Sequence, residues 1–379
     1  MKSTQERRKF LRQSTKAVGA LLLPAYLSGC GSRGDNRSAG EPAPATQQVT
    51  NERRKLGVAL VGLGGYSSGQ LAPALQLTEH CELRGIVTGS PEKIPVWREK
   101  YGIPEANVYN YENMDEVANN DDIDVVYIVL PTSLHAQFAI RAAKAGKHVW
   151  CEKPMAMDVE ECQAVIDACE TAGVKLSIGY RMQHEPNTRT LIGYAESKPF
   201  GKMQTVKSEA GYGGQIPTSG WRSRPEMGGS ALYDMGVYSI NGLRYATGLE
   251  PLAVKSAVQY VPKTTDVTTS YELIFPDGIV AKGKASVVEN TNILRVDCAG
   301  GWYELSPMQS YNGVEGRRSD GHLLNQPIES QQARQMDDDA LAILNDTPVM
   351  VPGSEGLKDI RIVRAIIESA KTGKEVSLI

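Results

Sequence analysis

The sequence predicts a two-domain α/β protein, and three observations carry the prediction. A buried strand runs straight into a glycine-rich turn at residues 56–67. Strands and helices then alternate up to Cys151. After Pro251, strand-like runs follow one another with only turns between them. A chain of 379 residues is too long for one small core, which suits two domains. With 41% hydrophobic and 22% charged residues, the composition is that of a globular protein. A formal charge of −3 leaves no basic footprint for nucleic acid.

Residues 1–30 read as an address rather than as structure. Arg7-Arg8-Lys9-Phe10-Leu11-Arg12, followed by the apolar run Ala17–Leu23, has the pattern of a twin-arginine export signal, although Glu6 stands where Ser or Thr is usual. The apolar run is too short for a permanent membrane span. Leu27-Ser28-Gly29-Cys30 resembles a lipobox, which would make Cys30 a lipidated N-terminus. The expectation is a periplasmic lipoprotein exported by the twin-arginine machinery and anchored by lipid alone; an ordinary cleaved signal is the competing reading. Residues 31–52, rich in Gly, Ser, Pro, Ala and Gln, read as a flexible linker. The remaining cysteines, Cys81, Cys151, Cys162, Cys169 and Cys298, form no close CxxC pair, so reduced, buried thiols are expected and a zinc site is not.

The first domain is read over residues 53–177. Leu56–Val61 is a continuous small-apolar run, as in a parallel strand covered on both faces. It enters Gly62-Leu63-Gly64-Gly65-Tyr66-Ser67, a dinucleotide-type turn with Ser at its third small position. Gly62 permits the tight turn and Gly64 lets backbone approach a pyrophosphate, with a helix expected over Gly69–Leu77. A second strand, Glu82–Thr88, ends in Thr88-Gly89-Ser90 and Lys93 rather than in a carboxylate. An acid there would repel a 2′-phosphate, so the stretch favours NADP over NAD. Ile123–Leu130 is the next strand, ending at Pro131. A helix from Leu134 to Ala145 is closed by Gly146. Strand Lys147–Cys151 then delivers Glu152-Lys153-Pro154 at its carboxyl end, where ligands of open α/β sheets lie.

Further motifs make a resemblance specific. Leu134-His135, Ala142–Val149 and Glu152-Lys153-Pro154 resemble the signature of the Gfo/Idh/MocA oxidoreductases. Ile178–Arg181, Trp221-Arg222, Gly228–Tyr238, Asn241-Gly242 and Gly353–Asp359 are similar to the glucose–fructose oxidoreductase branch of that family. The resemblance implies an N-terminal Rossmann domain and, over residues 178–379, an α/β domain with a large, mostly antiparallel, open-faced sheet. On the residues themselves, Leu252–Val261, Thr268–Phe275, Ile279–Val288 and Asn292–Cys298 read as strands, Pro276-Asp277-Gly278 as a hairpin turn and Leu357–Lys371 as a last helix.

The resemblance also implies the chemistry. Tyr238 would be the acid/base for a sugar hydroxyl, Lys153 its supporting cation, and Asp234 a residue on the same helix face that holds the sugar or Lys153. A free tyrosine titrates near ~10, so it needs a nearby ammonium to act at neutral pH. Arg181, Trp221 and Arg222 join Asp234 and Tyr238 as substrate contacts. The cofactor set is Gly62, Gly64, Gly65, Tyr66, Thr88, Ser90, Lys93, Pro131, His135, Glu152 and Lys153. No metal is expected. Outside the cytoplasm free nicotinamide cofactor is scarce, so tightly bound NADP would have to be regenerated in place. One sugar would be oxidised at C1 and a second carbonyl sugar reduced in the same pocket. Residues 31–52 are shorter than the arm that covers the cofactor in the enzyme resembled. A conventional NAD(P)-dependent sugar dehydrogenase, an NAD-dependent glycoside hydrolase and a non-catalytic sugar or cofactor sensor are the alternatives. A homodimer or homotetramer is expected from the resemblance.

Overall fold

A computed structural model describes residues 54–379. The leader, the linker and Cys30 lie outside the described residues. Six strands build the first sheet: β1 (Leu56–Val61), β2 (Cys81–Val87), β3 (Val108–Tyr109), β4 (Val125–Ile128), β5 (His148–Cys151) and β6 (Leu176–Ile178). Their order is β3-β2-β1-β4-β5-β6, and every pairing is parallel. This is the doubly wound order whose direction reverses between β1 and β4, and the crevice at that reversal is the general ligand position. β1 and β4 are buried along their whole lengths, which is why they read as unbroken apolar runs.

The helix expected over Gly69–Leu77 takes a different form. A wide π-type turn at Ser67–Leu71 leads into a single α turn at Ala72–Ala74. Pro73 has no amide to donate back to Gly69, so regular α hydrogen bonding cannot run through this stretch. The other helices of this half are regular. His135–Lys144 ends before Gly146, which takes a φ of +73°. Val159–Ala172 is capped by the Asp158 side chain on the Glu161 amide at 2.8 Å.

Nine strands build the second sheet: β7 (Met203–Gly211), β8 (Ala253–Tyr260), β9 (Thr268–Ile274), β10 (Val280–Ser286), β11 (Asn292–Cys298), β12 (Gly301–Leu305), β13 (Gly316–Arg318), β14 (Leu323–Leu324) and β15 (Val376–Ser377). The order is β14-β13-β12-β11-β7-β10-β9-β8-β15, antiparallel throughout except where β10 pairs with β7. One face carries helices Val237–Thr247 and Gly353–Thr372, both rich in buried residues. The opposite face is open in this chain, with Val258 71% exposed among Lys255, Glu272 and Lys282.

The helix Gln331–Leu344 was not anticipated. It returns from the second half of the chain to the first sheet, where Ala333, Met336 and Ala340 pack with Leu56, Val58, Tyr127 and Trp150. The described cysteines are all free and buried. Burial pushes Cys81, Cys162 and Cys169 up to about 12 and Cys151 well above the ordinary thiol range. Such thiols are poor nucleophiles. No described helix is long and apolar enough to cross a membrane.

Candidate active site

The crevice at the β1/β4 reversal opens into a cavity of about 630 Å³, within the range of small-molecule sites. One wall is the glycine turn. Gly62 adopts a φ of +94°, and a Cβ there would fall 2.4 Å from the Val129 carbonyl oxygen, so only glycine fits. Gly64 and Gly65 differ: nothing lies within 4 Å of where their Cβ atoms would be. Both line the cavity and leave bare backbone facing it, the cradle a pyrophosphate requires. Ser67 is fully buried, and its hydroxyl donates to the Gly62 carbonyl at 2.5 Å, tying the turn to its own start.

Thr88, Ser90 and Lys93 line the same cavity at the tip of β2. The Thr88 hydroxyl accepts from the Ser90 amide at 3.1 Å, and Lys93 Nζ donates to the Leu63 carbonyl at 3.0 Å. An ammonium and hydroxyls, with no carboxylate among them, suit an adenosine bearing a 2′-phosphate. Pro131 also lines the cavity, as does His135. The His135 ring nitrogens lie 2.7 Å from the carbonyls of Leu130 and Pro154, so the ring staples the tip of β4 to the Glu-Lys-Pro turn.

Glu152 and Lys153 follow β5 into the cavity. Glu152 accepts from the Tyr127 hydroxyl at 2.7 Å; burial raises its carboxyl, against the opposing field of Lys153. The contact requires a glycine opposite, because a Cβ on Gly179 would fall 2.7 Å from Glu152 Oε1. Lys153 Nζ donates to the Asp234 carbonyl oxygen at 3.0 Å, lies 3.6 Å from the Asp234 carboxylate and sits 4.6 Å from the Tyr238 ring centroid. Burial alone would lower the Lys153 ammonium, but Tyr238, Asp234 and Glu152 hold it above its ordinary value.

Asp234 lies in a wide turn at Leu232–Gly236 that feeds the helix bearing Tyr238. Arg222 Nε donates to its other carboxylate oxygen at 2.9 Å, so one acid bridges two cations. Burial would raise the Asp234 carboxyl, yet Lys153 and Arg222 together hold it below the usual carboxylate range. Arg222 in turn stacks on Trp221 at 4.3 Å, and both line the cavity.

Arg181 is the exception among the residues expected at the substrate. It does not line the cavity; its side chain is 1% exposed and backs the wall behind Tyr238 and Tyr311. Tyr311, Tyr111 and Gln70 line the cavity without having been singled out in the sequence. Tyr311 sits in an irregular stretch between β12 and β13, where no periodicity marks it; an exposed aromatic in a polar loop is the only local signal.

Comparison with known proteins agrees with the fold that holds this cavity. Residues 56–180 match the family described as "Oxidoreductase family, NAD-binding Rossmann fold", and residues 188–304 match the GFO/IDH/MocA C-terminal domain. The solved aldose-aldose oxidoreductase of Caulobacter crescentus, complexed with glycerol, is 37% identical with a TM-score of 0.82; the match covers 86% of this chain and 100% of that one. This chain belongs to the Gfo/Idh/MocA oxidoreductase family. A D-xylose 1-dehydrogenase [NADP(+)] of Haloarcula marismortui is 28% identical over 88% of this chain and 96% of its own length. A second such dehydrogenase, from Haloferax volcanii, is 26% identical over 84% of this chain and 98% of its own. The two family models thus span residues of both sheets, from β1 to β12.

Proposed function

We propose that this family member is an NADP-dependent oxidoreductase acting on the CH–OH groups of sugars. The observation that carries the reading is the convergence of Lys153, Asp234 and Tyr238 with the Gly62–Tyr66 turn and Lys93 in one cavity. Relatives named for NADP-linked xylose oxidation and for aldose-aldose oxidoreduction support the substrate class. Bound NADP supplies the hydride acceptor. Tyr238 removes the proton from the hydroxyl of the carbon being oxidised. Lys153 favours the phenolate of Tyr238, the form that can accept the proton, and Asp234 holds Lys153 in place. Denaturing the purified protein and identifying the released nucleotide tests the cofactor; release of NAD, or of no nucleotide with no NADP binding on addition, would sink it.

The finer reading is a two-step cycle in which an aldose is oxidised at C1 and a second carbonyl sugar returns the cofactor to its oxidised form without its release. The branch motifs and the aldose-aldose relative support it. A homodimer or homotetramer would cover the open face of the second sheet. Lys93→Glu is expected to weaken NADP binding far more than NAD binding, because it places a repelling charge where a 2′-phosphate would sit. Fluorescence titration with both reduced cofactors checks this, and equal losses would remove Lys93 from the phosphate subsite.

Export and lipid anchoring complete the proposal, supported by Arg7-Arg8 and by the Leu27–Cys30 box. A multiply acylated Cys30 would hold the protein on the periplasmic membrane face, where a single chain is marginal. Cells carrying Cys30→Ala should release into the soluble fraction a protein that is otherwise membrane-bound. Identical soluble partition of both forms would remove the lipoprotein reading.

A further inference from the structure

A buried cation beside the reaction centre, Arg181, is not used by the chemistry above. Its guanidinium carbon lies 5.6 Å from the Tyr238 ring centroid and 4.6 Å from that of Tyr311. Tyr311 lies 6.2 Å from Tyr66 of the glycine turn. With Lys153 4.6 Å from the Tyr238 ring, cations and rings alternate from the Glu-Lys-Pro turn to Tyr311, whose ring neighbours Tyr66 of the cofactor turn.

The hydrogen-bond partners of Arg181 are all neutral. Its NH groups donate to Gln331 Oε1, to Gln309 Oε1 at 2.9 Å, to the Ser310 carbonyl at 3.4 Å and to Met182 sulfur at 2.9 Å. Its Nε has no partner. Among the described residues, no carboxylate lies within ion-pair distance of it. Arg244, nearly as buried, contrasts sharply, with ion pairs to Glu250, Glu355 and Asp359. A buried guanidinium without an ion-pair partner is costly, and π faces and the more distant Glu152 offset only part of that cost. An anion arising beside it would offset more.

Tyr238 acts electrostatically on Lys153, Arg181, Tyr66, Tyr311 and Tyr245, while Asp234 and Glu152 act on Lys153 and Arg181 acts on Glu152. Burial would lower the Arg181 guanidinium, but Tyr238, Tyr66 and Tyr311 hold it above its ordinary value. Burial pushes the Tyr66 phenol well up, and Glu152 adds to it, so that ring stays a neutral spacer.

We propose that Arg181 is a positioning residue: without touching substrate, its unpaired charge joins that of Lys153 in favouring the ionised phenol of Tyr238. This rests on the proposed role of Tyr238 as base, and it assigns to Arg181 a task behind the wall instead of a sugar contact.

The test reads pH dependence in Arg181→Gln and Arg181→Met, with Arg181→Lys as the charge-retaining variant. Gln keeps hydrogen-bonding groups, and Met is an apolar side chain of similar length, a type of exchange that buried ion-pair sites tolerate. Removing a charge at this range should move the acidic limb of the pH–rate profile upward by about one to two pH units. Arg181→Lys should stay closer to wild type than to Arg181→Gln. In parallel, tyrosinate absorbance is titrated in wild type, Tyr238→Phe and the Arg181 variants, which needs no turnover. The tyrosine titration that is lost in Tyr238→Phe should move upward in Arg181→Gln. An unmoved limb, or an unmoved tyrosine titration, in the charge-removing variants overturns the proposal. If no sugar is turned over by wild type, the functional reading fails, while the optical titration still decides the Arg181–Tyr238 coupling.

Discussion

Tyr238→Phe is expected to lower turnover by about 10²–10⁴-fold, the usual contribution of a general acid–base group. The reason lies in what the substitution leaves behind. Tyr238 is 7% exposed and its ring is a neighbour of Lys153 at 4.6 Å and Arg181 at 5.6 Å. Phenylalanine keeps that ring, so packing and the cation–π contacts survive and only the hydroxyl is lost. Cofactor affinity and thermal stability should therefore stay near wild type. The assay is a single-turnover spectrum: a panel of aldoses is added anaerobically, reduced-nicotinamide absorbance is followed, and carbonyl sugars are then added to look for its loss. Reduction of the cofactor by Tyr238→Phe at the wild-type rate would assign the proton transfer to another group.

The largest loss of stability is expected from Arg244→Met. Arg244 is 4% exposed and pairs with Glu250 at 2.7 Å, Glu355 at 2.8 Å and the fully buried Asp359 at 2.6 Å. Removing Arg244 leaves Asp359 without its cation and Glu250 and Glu355 with only Lys358, and breaking a buried pair from one side costs about 3–5 kcal/mol. Burial already raises the Asp359 carboxyl, against the pull of Arg244. Without Arg244 it should rise further, and the sign of the pH effect follows. A carboxyl whose folded pKa lies above its unfolded value binds more protons when folded, so its penalty is absent in acid, grows as pH rises from the unfolded to the folded pKa and is full above it. Denaturant melts should thus show a smaller deficit near about pH 5 than near about pH 8. Asp359→Asn in the Arg244→Met background should recover part of the loss. A pH-independent deficit would mean that packing around Arg244, and not its charge, holds this region.

This cluster also shows where sequence reading stops. Asn241 and Asp359 both fall in motifs singled out by resemblance, 118 residues apart. Nothing in either stretch says that Asn241 Nδ2 reaches the Asp359 carboxylate at 3.1 Å. The elements themselves were easier to see. β8 to β11 were legible from their alternation, because each has one covered and one open face. The short β13, β14 and β15 carry too few residues for any period to register.

By itself, the sequence determined β1, β2, β4, β5 and the helix His135–Lys144, the glycine turn that follows β1, the absence of an acid at the tip of β2, and the placing of Glu152-Lys153-Pro154 at a strand's carboxyl end. These are local properties, set by burial period and backbone sterics over a few residues. Only the tertiary structure decided that Asp234 bridges Lys153 and Arg222, that Tyr311 comes to the cavity, that Gln331–Leu344 folds back under the first sheet, and that Arg181 stands behind the wall rather than in the site. Each of those depends on which distant surfaces exclude water together. A guanidinium reads the same in a sequence whether it ends up facing a sugar or two tyrosine rings.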